Sequence, residues 1–188
     1  MQKEFNTTGL CNPKRHYMVD ISNKLKTIIT LIEKEKYFTI NRARQYGKTT
    51  TLFQLKNLLK DKYIIVKLSF EGVGEIFFSS EENFVKKFID IVTDYLELIK
   101  VSEYEVSEWK RSEQQYTFDV LKKKISKFCE NAEKEIILMI DEVDKSSDNQ
   151  LFLSFLGMIR DMYLNRDEIP TFKSVILAGV YDVKNLKL

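Results

Sequence analysis

Two cysteines, one histidine, one tryptophan and two prolines among 188 residues leave several chemistries without enough side chains to work with. Cys11 and Cys129 stand far apart with no C-x-x-C spacing, so reduced structural thiols are expected rather than a disulfide or a metal site. The single histidine, His16, argues against a His-based zinc site and against a Ser-His-Asp triad unless that one residue serves. An ordinary, partly buried side chain is the expectation for it. Scarce proline and only six glycines exclude a collagen-like or low-complexity chain. Long apolar runs are missing too: Ile136–Ile140 is among the longest, whereas a membrane-spanning helix needs about 20 residues. The start, Met1-Gln2-Lys3-Glu4-Phe5, has no apolar signal core, and a cytoplasmic protein is expected. Nor does one sign of charge dominate, since 30 Lys+Arg against 28 Asp+Glu gives +2. Charge alone therefore does not indicate nucleic acid as a partner.

What is present suits a packed core. Hydrophobic residues make up 44% of the chain and charged residues 31%, and no repeat or Ser/Gly linker divides it. One domain over residues 1–188 is expected. After an irregular opening, Asp20 is placed to cap a helix with Ile21, Leu25, Ile28, Ile29 and Ile32 at helical spacing. Tyr37–Ile40 reads as a strand, and Leu52, Leu55, Leu58 and Leu59 mark the helix after it. Tyr63–Leu68 reads as a second strand. Ser79-x-x-Glu82 reads as a capping box for a helix that buries Phe84, Val85, Phe88, Ile91, Val92, Tyr95 and Leu96. A polar stretch over Ser102–Gln115 holds Trp109, whose role the sequence leaves open between core and partner surface. A further helix carries Phe118, Leu121, Ile125, Phe128 and Cys129, and its Lys122-Lys123-Lys124 run is expected to be solvated. Ile136–Ile140 is the strongest strand. A helix over Gln150–Leu164 leads through Pro170 to a last strand, Ser174–Ala178. Apolar strands alternating with helices predict an α/β parallel sheet covered on both faces.

Two of the connections carry chemistry. Strand, loop, Gly47-Lys48-Thr49 and helix is the context a phosphate-binding loop requires. Backbone N–H groups at the helix start face an anion there, and the helix dipole favours negative charge. Gly47 admits close backbone approach, Lys48 reaches the β- and γ-phosphate oxygens, and the Thr49 hydroxyl joins a Mg²⁺ shell. The nucleotide-binding segment is read as Arg42, Ala43, Arg44, Gln45, Tyr46, Gly47, Lys48, Thr49 and Thr50. In G-x-x-x-x-G-K-[ST] the first glycine falls at Arg42, so the first bend must be made by a residue with a Cβ. Arg42 and Arg44 either add positive charge beside the anion or sit in solvent.

The second connection ends the strongest strand in Asp141-Glu142. Five apolar residues followed by two acids form a Walker B pattern, and a parallel sheet binds ligands at the carboxyl ends of its strands. Asp141 is the candidate metal carboxylate beside Thr49, and Glu142 the candidate base that polarises an attacking water. Asp144 and Lys145 are expected to form a solvated turn. No Asn-Lys-x-Asp guanine reader follows, which favours ATP over GTP.

With both motifs in place the chain resembles the predicted AAA-ATPase-like family of bacterial proteins, near the archaeal-ATPase and STAND branch of P-loop NTPases. The likeness is carried by His16-Tyr17-Met18-Val19-Asp20, by Arg42–Thr49, by Leu138-Met139-Ile140-Asp141-Glu142-Val143-Asp144 and by Val175-Ile176-Leu177-Ala178-Gly179-Val180. Family loops resemble Arg-Pro-Arg-Arg-Phe-Gly-Lys-Ser, so the missing first glycine is a family trait, with Ala43 in place of the usual proline. The resemblance implies an additional-strand (ASCE/AAA-like) three-layer αβα sandwich that binds ATP with Mg²⁺ and hydrolyses its β–γ phosphoanhydride. It implies catalytic roles for Glu142 and Lys48, metal contacts from Thr49 and Asp141, and a place near the base or ribose for Tyr17–Asp20. Sensor 1 is left to Tyr181 or Asp182. Arg160 and Arg166 are either fingers for a neighbouring subunit or surface charges.

Family members usually continue, often into a domain resembling PD-(D/E)-x-K nucleases. An N-terminal fragment or short form is therefore expected, stopping after its fourth core strand without a helical lid, together with self-association or a C-terminal partner domain. The alternative to a turning-over ATPase is a nucleotide-gated regulatory module with little or no turnover.

Overall fold

Ile136-Ile137-Leu138-Met139-Ile140 is buried on both faces, and the rest of the architecture follows from covering it. The computed structural model describes residues 4–5, 15–17, 19–41, 47–72, 74–143 and 149–179. Its strands are β1 (Tyr37–Asn41), β2 (Ile64–Ser69), β3 (Ile136–Asp141) and β4 (Ser174–Gly179). Its helices are α1 (Ser22–Glu33), α2 (Lys48–Leu59), α3 (Glu81–Leu98), α4 (Glu103–Lys110), α5 (Phe118–Asn131) and α6 (Gln150–Leu164). The strands form one four-stranded sheet in the order β1-β4-β3-β2, every pairing parallel. β4 thus lies between the strand that feeds the Gly-Lys-Thr helix and the strand that ends in acids, an additional-strand arrangement.

Alternation along the strands sends side chains to two cores. Ile136, Leu138 and Ile140 join Ile64, Val66, Leu68 and Val175 under an aromatic cluster that includes Phe84, Phe88, Phe152 and Phe155. Ile137 and Met139 join Ile65, Ile176 and Ala178 on the opposite face, against Leu25, Ile28 and Ile32 of α1 and Leu52, Leu55 and Leu59 of α2. Helix, sheet and helix make three layers. Phe77 and Phe78 belong to the aromatic side: Phe70 lies 5.4 Å from Phe77, and Phe77 lies 4.9 Å from Phe84.

Four local expectations are corrected. Ile21, not Asp20, is the N-cap of α1; the Asp20 carboxylate still accepts the Ser22 N–H at 2.9 Å. The cap of α3 is Ser80, which accepts from the Asn83 N–H, while Glu82 pairs with Lys86. Along that helix Ile89 and Thr93 take buried places, and Ile91 and Tyr95 are half-buried. The polar stretch after α3 contains a helix, α4, opened by a capping box between Ser102 and Glu105. Trp109 on α4 is buried and donates its indole N–H to the Ile89 carbonyl at 3.1 Å, so it is core.

Lys124 is not solvated. Its ammonium is buried against Glu113 at 2.9 Å and the carbonyls of Arg111 at 2.7 Å and Trp109 at 3.3 Å. Three acceptors satisfy its three donors, which is what permits a buried lysine. Cys129 is a free thiol, and burial pushes it far above its ordinary titration range. His16 is half-buried in a backbone bridge with Glu4. Cys11 lies outside the described residues. Among the described residues no helix is long and apolar enough to cross a membrane.

Candidate functional site

Parallel pairing delivers every strand's carboxyl end to the same edge of the sheet. Asn41 of β1 lies opposite Gly179 of β4, and Ser69 of β2 opposite Asp141 of β3. At this edge α2 begins. Gly47 is its N-cap and has φ +73°, the left-handed region that glycine enters without a Cβ penalty. Among the described residues, its chain neighbours aside, nothing lies within 4 Å of where a Cβ would stand, so the positive φ is what calls for glycine. The Gly47 carbonyl accepts from the Thr51 N–H and the Thr51 hydroxyl, both at 2.8 Å. These bonds hold the first turn closed.

The next three residues divide by exposure. Lys48 and Thr50 are buried, whereas Thr49 is exposed and its hydroxyl donates to Asp141 Oδ2 at 3.1 Å. That bond joins residues separated by 92 positions, the start of α2 and the end of β3. Asp141 is 4% exposed. Its other oxygen, Oδ1, accepts the Glu142 N–H at 3.1 Å. Glu142 itself is half-buried with φ +57°, a left-handed backbone that a glutamate adopts only at an energetic cost.

Two lysines also stand here that sequence reading did not single out. Lys67 of β2 brings its ammonium to 3.9 Å from Asp141 Oδ2. Lys24 of α1 donates to the Thr51 hydroxyl at 3.1 Å, bracing α1 against the first turn of α2. The signal for Lys67 was its place in Ile64-Ile65-Val66-Lys67-Leu68, a charge inside a strand otherwise apolar on both faces. Lys24 carried no such signal, since a lysine on an amphipathic helix ordinarily faces water.

A hydroxyl and a carboxylate converging at one point are hard oxygen donors, the kind Mg²⁺ takes. Among the described residues no group of three or more His, Cys, Asp or Glu could hold a metal. Mg²⁺ ordinarily takes only one or two protein ligands and completes its shell with water and a substrate phosphate, so two oxygen donors are enough for a candidate site.

Several expected site residues fall elsewhere. Arg42, Ala43, Arg44, Gln45 and Tyr46 lie outside the described residues, as do Met18, Asp144, Lys145, Val180, Tyr181 and Asp182. Tyr17 is exposed with its ring 4.9 Å from that of Phe5, and Asp20 is held by Ser22, which lowers its pKa. Arg166 lies over the Tyr163 ring at 4.4 Å and donates to the Tyr163 carbonyl. Tyr163 in turn packs its ring, tilted by 32°, against that of Tyr37, the first residue of β1, so Arg166 belongs to the opposite edge of the sheet. Arg160 is exposed. A groove of about 500 Å³ between α4 and α5, lined by Trp109, Lys124 and Lys127 among others, shares no residue with the carboxyl-edge group.

The AAA-like domain family matches residues 14–184. No curated protein matches the chain. Among solved structures the chain is similar to the Walker-type ATPase PABY2304 of Pyrococcus abyssi, with a TM-score of 0.52 and 14% identity. The match covers 93% of this chain and 48% of that one, so this chain spans about half its length. At that identity the likeness is one of fold, a parallel sheet with helices on both faces. With residues 14–184, nearly the whole length, matched by the family model, the chain belongs to the AAA-like domain family.

Proposed function

We propose that this domain binds ATP with Mg²⁺ at the carboxyl edge of its sheet, hydrolyses the β–γ phosphoanhydride in the cytoplasm, and couples nucleotide state to a conformational change. The observation that carries the reading is the Thr49 hydroxyl on the Asp141 carboxylate at 3.1 Å, because it joins the phosphate-loop helix to the acidic strand end. α2 opens at Lys48, Thr49 and Thr50, and the backbone N–H groups at the start of a helix point along its axis, where they suit phosphate oxygens. Lys48 supplies a positive charge to the β- and γ-phosphates. Thr49 and Asp141 hold the Mg²⁺, which when bound neutralises charge on the phosphates. Glu142 accepts a proton from the attacking water as its oxygen bonds to the γ-phosphorus and the bond to the ADP oxygen breaks.

Titration with a fluorescent ATP analogue in the presence of Mg²⁺ tests binding. The parent should saturate, and Lys48→Ala should lose the saturable signal. Glu142→Gln should keep it while losing steady-state phosphate release. A parent that binds but releases no phosphate is a nucleotide-gated module rather than an ATPase. A parent that shows no Lys48-dependent binding overturns the reading altogether.

A further inference from the structure

Lys67 forms an ion pair with the proposed metal carboxylate, and its position is set by strand geometry. Lys67 lies opposite Met139 in the β2–β3 register, and Asp141 is two residues beyond Met139. Lys67 and Asp141 thus share one face of the sheet as diagonal neighbours, a spacing a long side chain spans. That face carries Ile65 and Met139 toward α2. The Lys67 side chain is 23% exposed and that of Asp141 5%, so the pair is largely withdrawn from solvent. A charge on a strand buried on both faces costs free energy unless an opposite charge faces it, and Asp141 is that charge.

The separation decides what the lysine does there. At 3.9 Å the ammonium is beyond hydrogen-bond length, whereas the Thr49 hydroxyl is bonded to the same oxygen at 3.1 Å. Lys67 neutralises the carboxylate without occupying it. A divalent ion on Asp141 would stand within a few ångströms of the ammonium, and in a site of low effective dielectric the two cations repel strongly. The four-carbon stem of lysine is flexible enough to carry the charge away.

We propose that Lys67 is the resident counter-ion of Asp141 in the metal-free protein and must give way when a divalent cation arrives. This rests on reading Asp141 as the metal-associated carboxylate. The consequence is an order of binding. A bare divalent ion must displace the ammonium unaided, whereas one carried by a triphosphate brings anionic charge that receives the released lysine.

Manganese titration of the full chain without nucleotide, followed by electron paramagnetic resonance, tests this. Lys67→Met should bind Mn²⁺ about tenfold more tightly than the parent, the effect of removing one nearby positive charge. Lys67→Arg should match the parent, and adding Asp141→Asn to Lys67→Met should abolish the gain. Thermal unfolding in a chelator verifies folding of each variant, with Lys67→Gln in reserve if the methionine variant does not fold. Equal affinities for Lys67→Met and the parent, absence of binding by both included, overturn the inference, as does a gain that survives Asp141→Asn. Lys48-dependent binding of the ATP analogue without any Lys67 effect refutes this inference alone. The tenfold gain without analogue binding refutes the ATP reading alone.

Discussion

The backbone at Glu142 makes a prediction in which stability and chemistry oppose each other. A residue with a Cβ in the left-handed region carries a penalty of roughly 1–2 kcal/mol, and Glu142 sits there at φ +57°. Glu142→Gly removes that penalty but loosens the unfolded chain, which costs about 0.5–1 kcal/mol. Glu142→Ala deletes the same carboxylate and keeps the strained backbone. The glycine variant should therefore be more stable than the alanine variant by about 0.5–1 kcal/mol, or roughly 1–4 °C in Tm for a chain of this length. Lys100, exposed just past α3 at φ +58°, is an internal reference where Lys100→Gly and Lys100→Ala should differ by a similar amount. Differential scanning calorimetry measures both pairs. Phosphate release should be lost in both Glu142 variants, so the more stable glycine protein would be catalytically dead. A glycine variant less stable than the alanine one, as at any ordinary helix or strand position, would refute the claim that the backbone is strained there.

Two predictions concern stability away from the site. Lys124→Met removes the ion pair with Glu113 and orphans the Trp109 and Arg111 carbonyls, so urea unfolding should show a loss of about 2–4 kcal/mol. A change under about 0.5 kcal/mol would mean that the network is solvated. Glu33 is held below the usual carboxylate range by hydrogen bonds from Lys62 at 2.7 Å and Tyr63 at 2.9 Å. Its folded pKa is depressed, so its contribution is present above the unfolded pKa and lost as pH falls through the folded one. A small Tm advantage of the parent over Glu33→Gln should therefore exist at neutral pH and vanish in acid. An advantage that persists or grows in acid would contradict the assignment.

The legible parts of this protein were those written in local periodicity. Ile136–Ile140 announced a strand buried on both faces, and strands alternating with amphipathic helices announced a parallel sheet. Gly47-Lys48-Thr49 and Asp141-Glu142 stood out as candidates because phosphate and metal chemistry ask for those residue types at the ends of particular elements. α4 escaped because its eight residues, EYEVSEWK, are mostly polar, and Ser102 and Glu105 open it by capping rather than by an apolar stripe.

Local pattern reports which way a side chain points within its own element, and no more. That made Lys122-Lys123-Lys124 look uniformly solvated, although the third lysine turns inward to Glu113 once α4 packs on α5. It left Trp109 undecided until the Ile89 carbonyl met its indole. Strand order is likewise invisible from any one segment: β4, the last strand among the described residues, had to insert between β1 and β3 before the carboxyl edge existed. The convergence of Thr49, Asp141 and Lys67 on one oxygen depends on that insertion and on the register of β2 against β3. Residue types and spacing sufficed to propose a kind of chemistry, because that is a matter of functional groups at the ends of elements. Which charges share a carboxylate was decided by long-range packing, because Coulomb forces act across space and take no account of distance along the chain.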